Sequence, residues 1–140
     1  AALLPLHEEI HMSDLKNNIG VVNALSPAVQ SATKSDAAII DLQGAGSACV
    51  VINTGAIVSA GDYTISLSHG DASDLSGATT AAGDDLLGSF PDSLAADSAY
   101  CVGYRGGKRY VRVVITKNGG TSIAAGAVIV KGDLALSGTV

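Results

Sequence analysis

From Asp62 to His69 apolar and polar residues alternate strictly. Tyr63, Ile65 and Leu67 fall on one side, Thr64, Ser66 and Ser68 on the other. Successive side chains of an extended chain point to opposite faces, so this pattern predicts a strand with one buried and one wet face. Lys108–Lys117 repeats it, with Val111, Val113 and Ile115 facing one way and Tyr110, Arg112 and Val114 the other. Ala37–Leu42, Ser47–Asn53, Ser98–Tyr104 and Ala124–Val130 read as further short strands, and Asp133–Leu136 as a last one. Turn signals separate them: Gln43-Gly44-Ala45-Gly46, Thr54-Gly55, Arg105-Gly106-Gly107 and Asn118-Gly119-Gly120. Arg105-Gly106-Gly107 predicts a hairpin, because glycine accepts the positive φ of tight hairpin turns. Residues 70–97 are rich in Gly, Asp, Ser, Ala and Thr, with an apolar island at Leu86-Leu87, and predict loops around one or two short strands.

Seven or eight short strands with almost no helix predict an all-β fold: an antiparallel β-sandwich or jelly roll over residues 37–140. Residues 1–36 lack the period-two pattern. Leu3, Leu6 and Ile10 sit at helical spacing opposite Glu8 and Glu9, and the run through Val21, Val22 and Leu25 reads as extended. The expectation is an extended N-terminal arm that makes most contacts with a partner, so that a chain starting at Asp36 would still fold. The run Ala1–Leu6 is too short, and too poor in basic residues, for a secretory signal.

Composition narrows the class. Of 140 residues 39 are Ala or Gly, and charged residues are 15%, against about 25% in an average domain. Such a chain has a thin core and a surface with few charges, which suits a protein covered by neighbours. No run of 18 apolar residues suggests a membrane helix. The net charge of -5 argues against nucleic acid as a partner. That charge divides into two poles: residues 62–97 hold seven acidic groups and no basic one, and residues 105–117 hold five basic groups and no acidic one. The poles either match a neighbouring subunit or neutralise each other within the domain. Arg105, Lys108, Arg109 and Arg112 are the basic candidates for a partner surface.

Signs of catalysis are few. His7-Glu8-Glu9-Ile10-His11 has the His-Glu-x-x-His spacing that places two zinc ligands and a base on one helical face. It lies beside Pro5 and near the first residue instead of within a long helix, so it reads as polar text and no metal is assigned. Cys49 and Cys101, each mid-strand, read as buried free thiols that two sheets could bring together. Asp71, Asp74, Asp84 and Asp85 lack the twelve-residue calcium-loop pattern and read as turn caps. No catalytic residue and no cofactor is expected.

Some of these segments carry a resemblance. Asp41-Leu42-Gln43-Gly44, the run Ser47–Gly55, Tyr63–Asp71, Asp85–Gly88 and above all Val102–Val113, followed by Gly126–Gly132, are similar to small structural proteins of tailed bacteriophages. The resemblance spans residues 37–132. It implies a β-sandwich virion protein, most plausibly a capsid cement (decoration) protein. Such a protein would be assembled in the bacterial cytoplasm, would sit on the outside of the head and would stabilise contacts between major capsid protein subunits. It would act as a homotrimer, or else a dimer, without catalytic residues, cofactor, nucleic acid or membrane. The other readings are a tail, head-tail or fibre-base component, a carbohydrate- or receptor-binding module, and a zinc hydrolase on His7, Glu8 and His11.

Overall fold

The computed structural model describes residues 14–134. After a 3-10 turn at Lys16–Asn18 come nine strands: β1 (Gly20–Gln30), β2 (Ile40–Asp41), β3 (Ala45–Val58), β4 (Asp62–Gly70), β5 (Thr79–Thr80), β6 (Leu86–Leu87), β7 (Ala99–Tyr104), β8 (Tyr110–Gly119) and β9 (Ser122–Leu134). A second 3-10 turn, Gly83–Asp85, leads into β6. One sheet has the order β1-β9-β3-β7-β6 and the other β2-β8-β4-β5. All pairings are antiparallel.

The order has a simple logic. β1 pairs with β9, β2 with β8, β3 with β7 and β4 with β5, as in one long ribbon doubled back on itself. Rolling that ribbon brings β9 against β3 and β8 against β4, which closes two facing sheets. This is the jelly-roll form of the expected sandwich. β6 is an addition that lengthens the first sheet beyond β7.

The core is what the sheets enclose. From the four-stranded sheet come Ile40, Tyr63, Ile65, Leu67, Val111, Val113 and Ile115. Facing them are the smaller Ala24, Ala125 and Ala127 together with Leu25, Val50, Ile52, Ile123 and Ile129. Ala24, Ala125 and Ala127 leave room for the larger residues of the facing sheet, which is how an Ala-rich chain fills its interior. Tyr63 is wholly buried, and its hydroxyl donates to the Thr121 carbonyl at 2.9 Å.

Three expectations are corrected. Arg105-Gly106-Gly107 is not a hairpin, since β7 and β8 lie in opposite sheets. Both strands turn an apolar side to the same core, so the link between them must arch across it. Gly106 permits the arch, because a Cβ there would lie 2.5 Å from the Tyr104 hydroxyl beneath. Asn118-Gly119-Gly120 likewise crosses from β8 to β9 in the other sheet. The last strand expected at Asp133–Leu136 is the continuation of β9 as far as Leu134, and the residues beyond lie outside the described ones.

The boundary at residue 36 also moves. Gly20–Gln30 is an edge strand of the five-stranded sheet, with Leu25 only 1% exposed. Beyond it, Lys34 exchanges backbone hydrogen bonds with Ile115. A chain starting at Asp36 would lose an edge strand and a core leucine, so it would not leave the sandwich intact. The period-two signal failed because β1 shifts register against β9 twice, between Asn23 and Leu25 and between Leu25 and Ala28. Each bulge breaks the alternation.

Candidate functional site

The basic candidates gather at one end of the roll. The arch Arg105–Arg109, the turn Leu42–Ala48, Asp71 and Leu87 enclose an open cleft of about 690 Å³. Its floor is Tyr104, 7% exposed, at the end of β7. The Tyr104 hydroxyl accepts the Lys108 N–H at 3.2 Å, leaving its own proton for His69 Nδ1 at 2.8 Å. His69 lies on β4, in the opposite sheet, so this buried pair ties the two sheets together at the cleft. The His69 and Tyr104 rings meet edge to face, and His69 Nε2 lies 3.8 Å from an Asp85 carboxylate oxygen. Burial raises the Tyr104 phenol above its ordinary pKa. A phenol held protonated in this way is a poor nucleophile, and the network reads as a staple.

The charges around this floor are mutually engaged. Arg109 grips Asp41 with two parallel hydrogen bonds of 2.8 and 2.9 Å, the bidentate fork that guanidinium makes with carboxylate. That grip, helped by the Gln43 N–H, holds the Asp41 carboxyl down at about 2. Arg109 also lies over the Tyr110 ring, 5.0 Å from its centre. Lys108 meets Asp71 at 3.1 Å. Arg112 and Lys117 hold the connector between β1 and β2. Arg112 donates to the carbonyls of Ala37 and Ser35, while the Lys117 N–H donates to the Thr33 hydroxyl and its ammonium to the Ser31 carbonyl.

Of the two readings of the charge poles, mutual neutralisation therefore describes Lys108 with Asp71, while Arg109 is neutralised by Asp41, outside the acidic pole. Lys108, Arg109 and Arg112, expected as basic residues of a partner surface, each have a partner within the chain. Arg105 is exposed at the arch, and among the described residues its side chain makes no hydrogen bond or ion pair.

The apolar candidates separate. Leu25 is core and is corrected as a contact residue. Val22 is half-buried against the same core. Val21 is 58% exposed, on the outer side of β1. Leu3, Leu6 and Ile10 lie outside the described residues, as does the His7, Glu8, His11 motif.

The two cysteines are not buried between sheets as expected. Cys49 on β3 pairs with Gly103, and Cys101 on β7 pairs with Val51, so they are diagonal neighbours within one sheet. Both point away from the core. Cys101 is exposed, and both are free thiols. Burial, and then the adjacent Cys101 thiol, push the Cys49 thiol up to about 11, so at neutral pH it stays protonated.

The sequence reading missed the surface around these cysteines. The outward side of β9, β3 and β7 carries Val51, Val128 and Val130 among Gly, Ala and Cys, and a groove of about 630 Å³ runs beside Pro27 and Gly126. The visible signal was the apolar run Ala124–Val130, which does not alternate with polar residues as Tyr63–His69 does. Comparison with family models, curated proteins and solved structures returned no match to this chain.

Proposed function

We propose that this chain is a virion structural protein of the capsid cement class. In this reading it binds the outer surface of a phage head across neighbouring major capsid protein subunits, as a homo-oligomer, and stabilises their contacts. The observation that carries the reading is the jelly-roll strand order in a chain of so little charge, an architecture that recurs in viral capsid domains. That is an argument by analogy of architecture, since one fold serves many functions. The similarity of the Val102–Val113 segment to phage structural proteins points the same way. The features of the cleft agree with a binding role: apart from Arg105 its ionic groups are paired, and its buried phenol and imidazole serve each other.

In this reading the mechanism is that of a clamp. A clamp on a shell adds buried area across seams that internal pressure would open. Each copy can bind modestly, because a symmetric oligomer engages several equivalent sites at once and its effective affinity rises. The reading involves no catalysis, cofactor, nucleic acid or membrane. No helix among the described residues is long and apolar enough to cross a membrane. The test is addition of purified protein to undecorated heads, followed by a count of bound copies per particle. Copies in the hundreds, and shells that resist heat better, are expected. A handful of copies would assign the chain to a tail or head-tail position. Binding to a glycan panel without shell binding would assign it to carbohydrate recognition, the other common use of the fold.

A further inference from the structure

The two sheets differ on their outer sides in a way that a free monomer does not account for. A sheet with one side in water shows alternating apolar and polar residues, while a strand covered on both sides reads as a continuous apolar run. β4 is of the first kind. β9 is of the second: Ile123, Ala125, Ala127 and Ile129 face the core, and Ala124, Gly126, Val128 and Val130 face outward. The neighbouring part of β3 behaves alike, with Val50 and Ile52 inside and Cys49 and Val51 outside. From β1 to β6 the outward positions facing this stretch carry no charged side chain. Val29 on the β1 edge is 67% exposed and Leu87 on the β6 edge 57%.

We propose that this outer face of the five-stranded sheet packs against the same face of a second copy of the chain, as a two-fold dimer. Three features favour a copy over another occupant. First, the chain carries -5, so most of its surface repels itself, but this face has no charge and meets its own copy without repulsion. An acidic or basic partner would find nothing there to pair with. Second, the polar groups bordering it, Asn23 and Asn53, each offer a donor and an acceptor, and so can pair with themselves across a two-fold axis. Third, the size fits. About ten residues each of β1, β9 and β3, with the six of β7 and the two of β6, present roughly 600 Å² per copy at ~4.8 Å between strands, which doubles to the ~1,200 Å² at the lower end of stable interfaces. Gly and Ala at positions 103, 124 and 126 let a second sheet approach to the usual distance of about 10 Å. A face that covers its own copy is an isologous contact and closes at two subunits, so the dimer replaces the trimer as the favoured state.

The proposal deepens the oligomer part of the function proposed above and rests on it. Its test uses the free full-length chain with no shells present, so failure to dimerise is separable from failure to decorate. Sedimentation at tens of micromolar is expected to give twice the 13.9 kDa chain mass. Val128→Lys places a charge at the centre of the face on both copies and should weaken the dimer at least a hundredfold, because the buried ammonium has no partner. Ser66→Lys, on the outer side of the other sheet, should leave the mass at the dimer value. Circular dichroism and thermal melts establish that both variants fold. Should Val128→Lys not fold, alkylation of Cys101 serves instead. Its rate in the unaltered chain should fall at least tenfold between nanomolar and tens-of-micromolar protein. A monomer at tens of micromolar with a concentration-independent alkylation rate overturns the proposal and leaves the face to a shell protein or to the chain's own ends. An oligomer of any order that Val128→Lys leaves intact overturns it too.

Discussion

The outer sides of the two sheets differ as much as two surfaces of one small domain can. On the four-stranded sheet Thr64, Ser66 and Ser68 stand beside Arg112, Thr116 and Asn118, and Val114 opposite Ser66 is the aliphatic exception on β4 and β8. On the five-stranded sheet Cys49, Val51, Val128 and Val130 stand together, and no charge interrupts them. The inner sides show no such contrast, because both are apolar and meet in one core. Secondary structure and burial in a single chain therefore explain only one of the two outer patterns. The proposed dimer accounts for the other.

The comparison is broken most forcefully on β9, where adjacent residues face opposite ways. Ile129 is fully buried, and Ile129→Ala is expected to cost about 3 kcal/mol, from lost transfer energy and an unfilled cavity. Val128→Thr, one residue away and on the outer face, should cost under about 0.5 kcal/mol in dilute protein, as surface changes do. Urea unfolding at low and high protein concentration measures both. The Thr variant should lose stability relative to the unaltered chain only at high concentration, where dimerisation adds to the stability of the folded state. Equal costs at both concentrations would contradict a face that a second copy covers.

The next largest effect lies where the sheets are tied together. Tyr104→Phe removes the hydroxyl that serves both the Lys108 N–H and His69 Nδ1. Two polar groups near the core then lack a partner, and a loss of about 1–3 kcal/mol is expected in the same unfolding assay. Val51→Thr, on the outer side of neighbouring β3, should show no such loss in dilute protein. A neutral outcome for Tyr104→Phe would mean that the arch over the ring, and not the hydrogen bonds, joins the sheets at this end.

What could be read in advance followed from local rules, and what could not depended on long-range packing. The strand at Asp62–His69 and its inward Tyr63, Ile65 and Leu67 were legible because alternation is a local property. The two-residue strand at Leu86-Leu87 was legible as an apolar island. Gly20–Gln30 was not, because bulges opposite β9 scramble its alternation and Leu25 is buried only once β9 lies beside it. The arch at Arg105–Gly107 looked like a hairpin because a glycine-rich turn has the same composition whether it joins strands of one sheet or of two. The partners of the basic residues were not legible because Asp41, Asp71 and the carbonyls of Ser35 and Ala37 are 37 to 77 positions away.

A smaller effect comes from the corner that carries the chain from one sheet to the other after β3. Ser59 and Ala60 both adopt positive φ, 49° and 57°, which L-residues with a Cβ adopt at a cost of about 1–2 kcal/mol each. Ala60→Gly relieves one of them, offset by the greater freedom of glycine in the unfolded chain. The net expectation is a gain of about 0.5–1 kcal/mol, seen as a rise in melting temperature of a few degrees. Ala56→Gly, within β3 before this corner, should instead lower it, since no positive φ is relieved there.

The smallest effect tests the electrostatics of the polar end against the uncharged face. Asp41 titrates at about 2 in the folded chain, against an ordinary 3.8, because Arg109 and then the Gln43 N–H stabilise its charge. A carboxyl whose folded pKa is depressed contributes stability that is complete above its unfolded pKa and lost as pH falls through the folded one. The window therefore runs from about pH 4 down to about pH 2, and the contribution is modest because both side chains are nearly half exposed, 44% and 45%, and screened by water. Carboxyl NMR during an acid titration should place the Asp41 midpoint near 2. Arg109→Gln should return it most of the way toward 3.8, with the Gln43 N–H retaining the remainder. Dimerisation should hold across this same window, since its interface carries no carboxylate to protonate. A dimer that dissociated in step with Asp41 would place the subunit contact at the cleft instead of on the sheet.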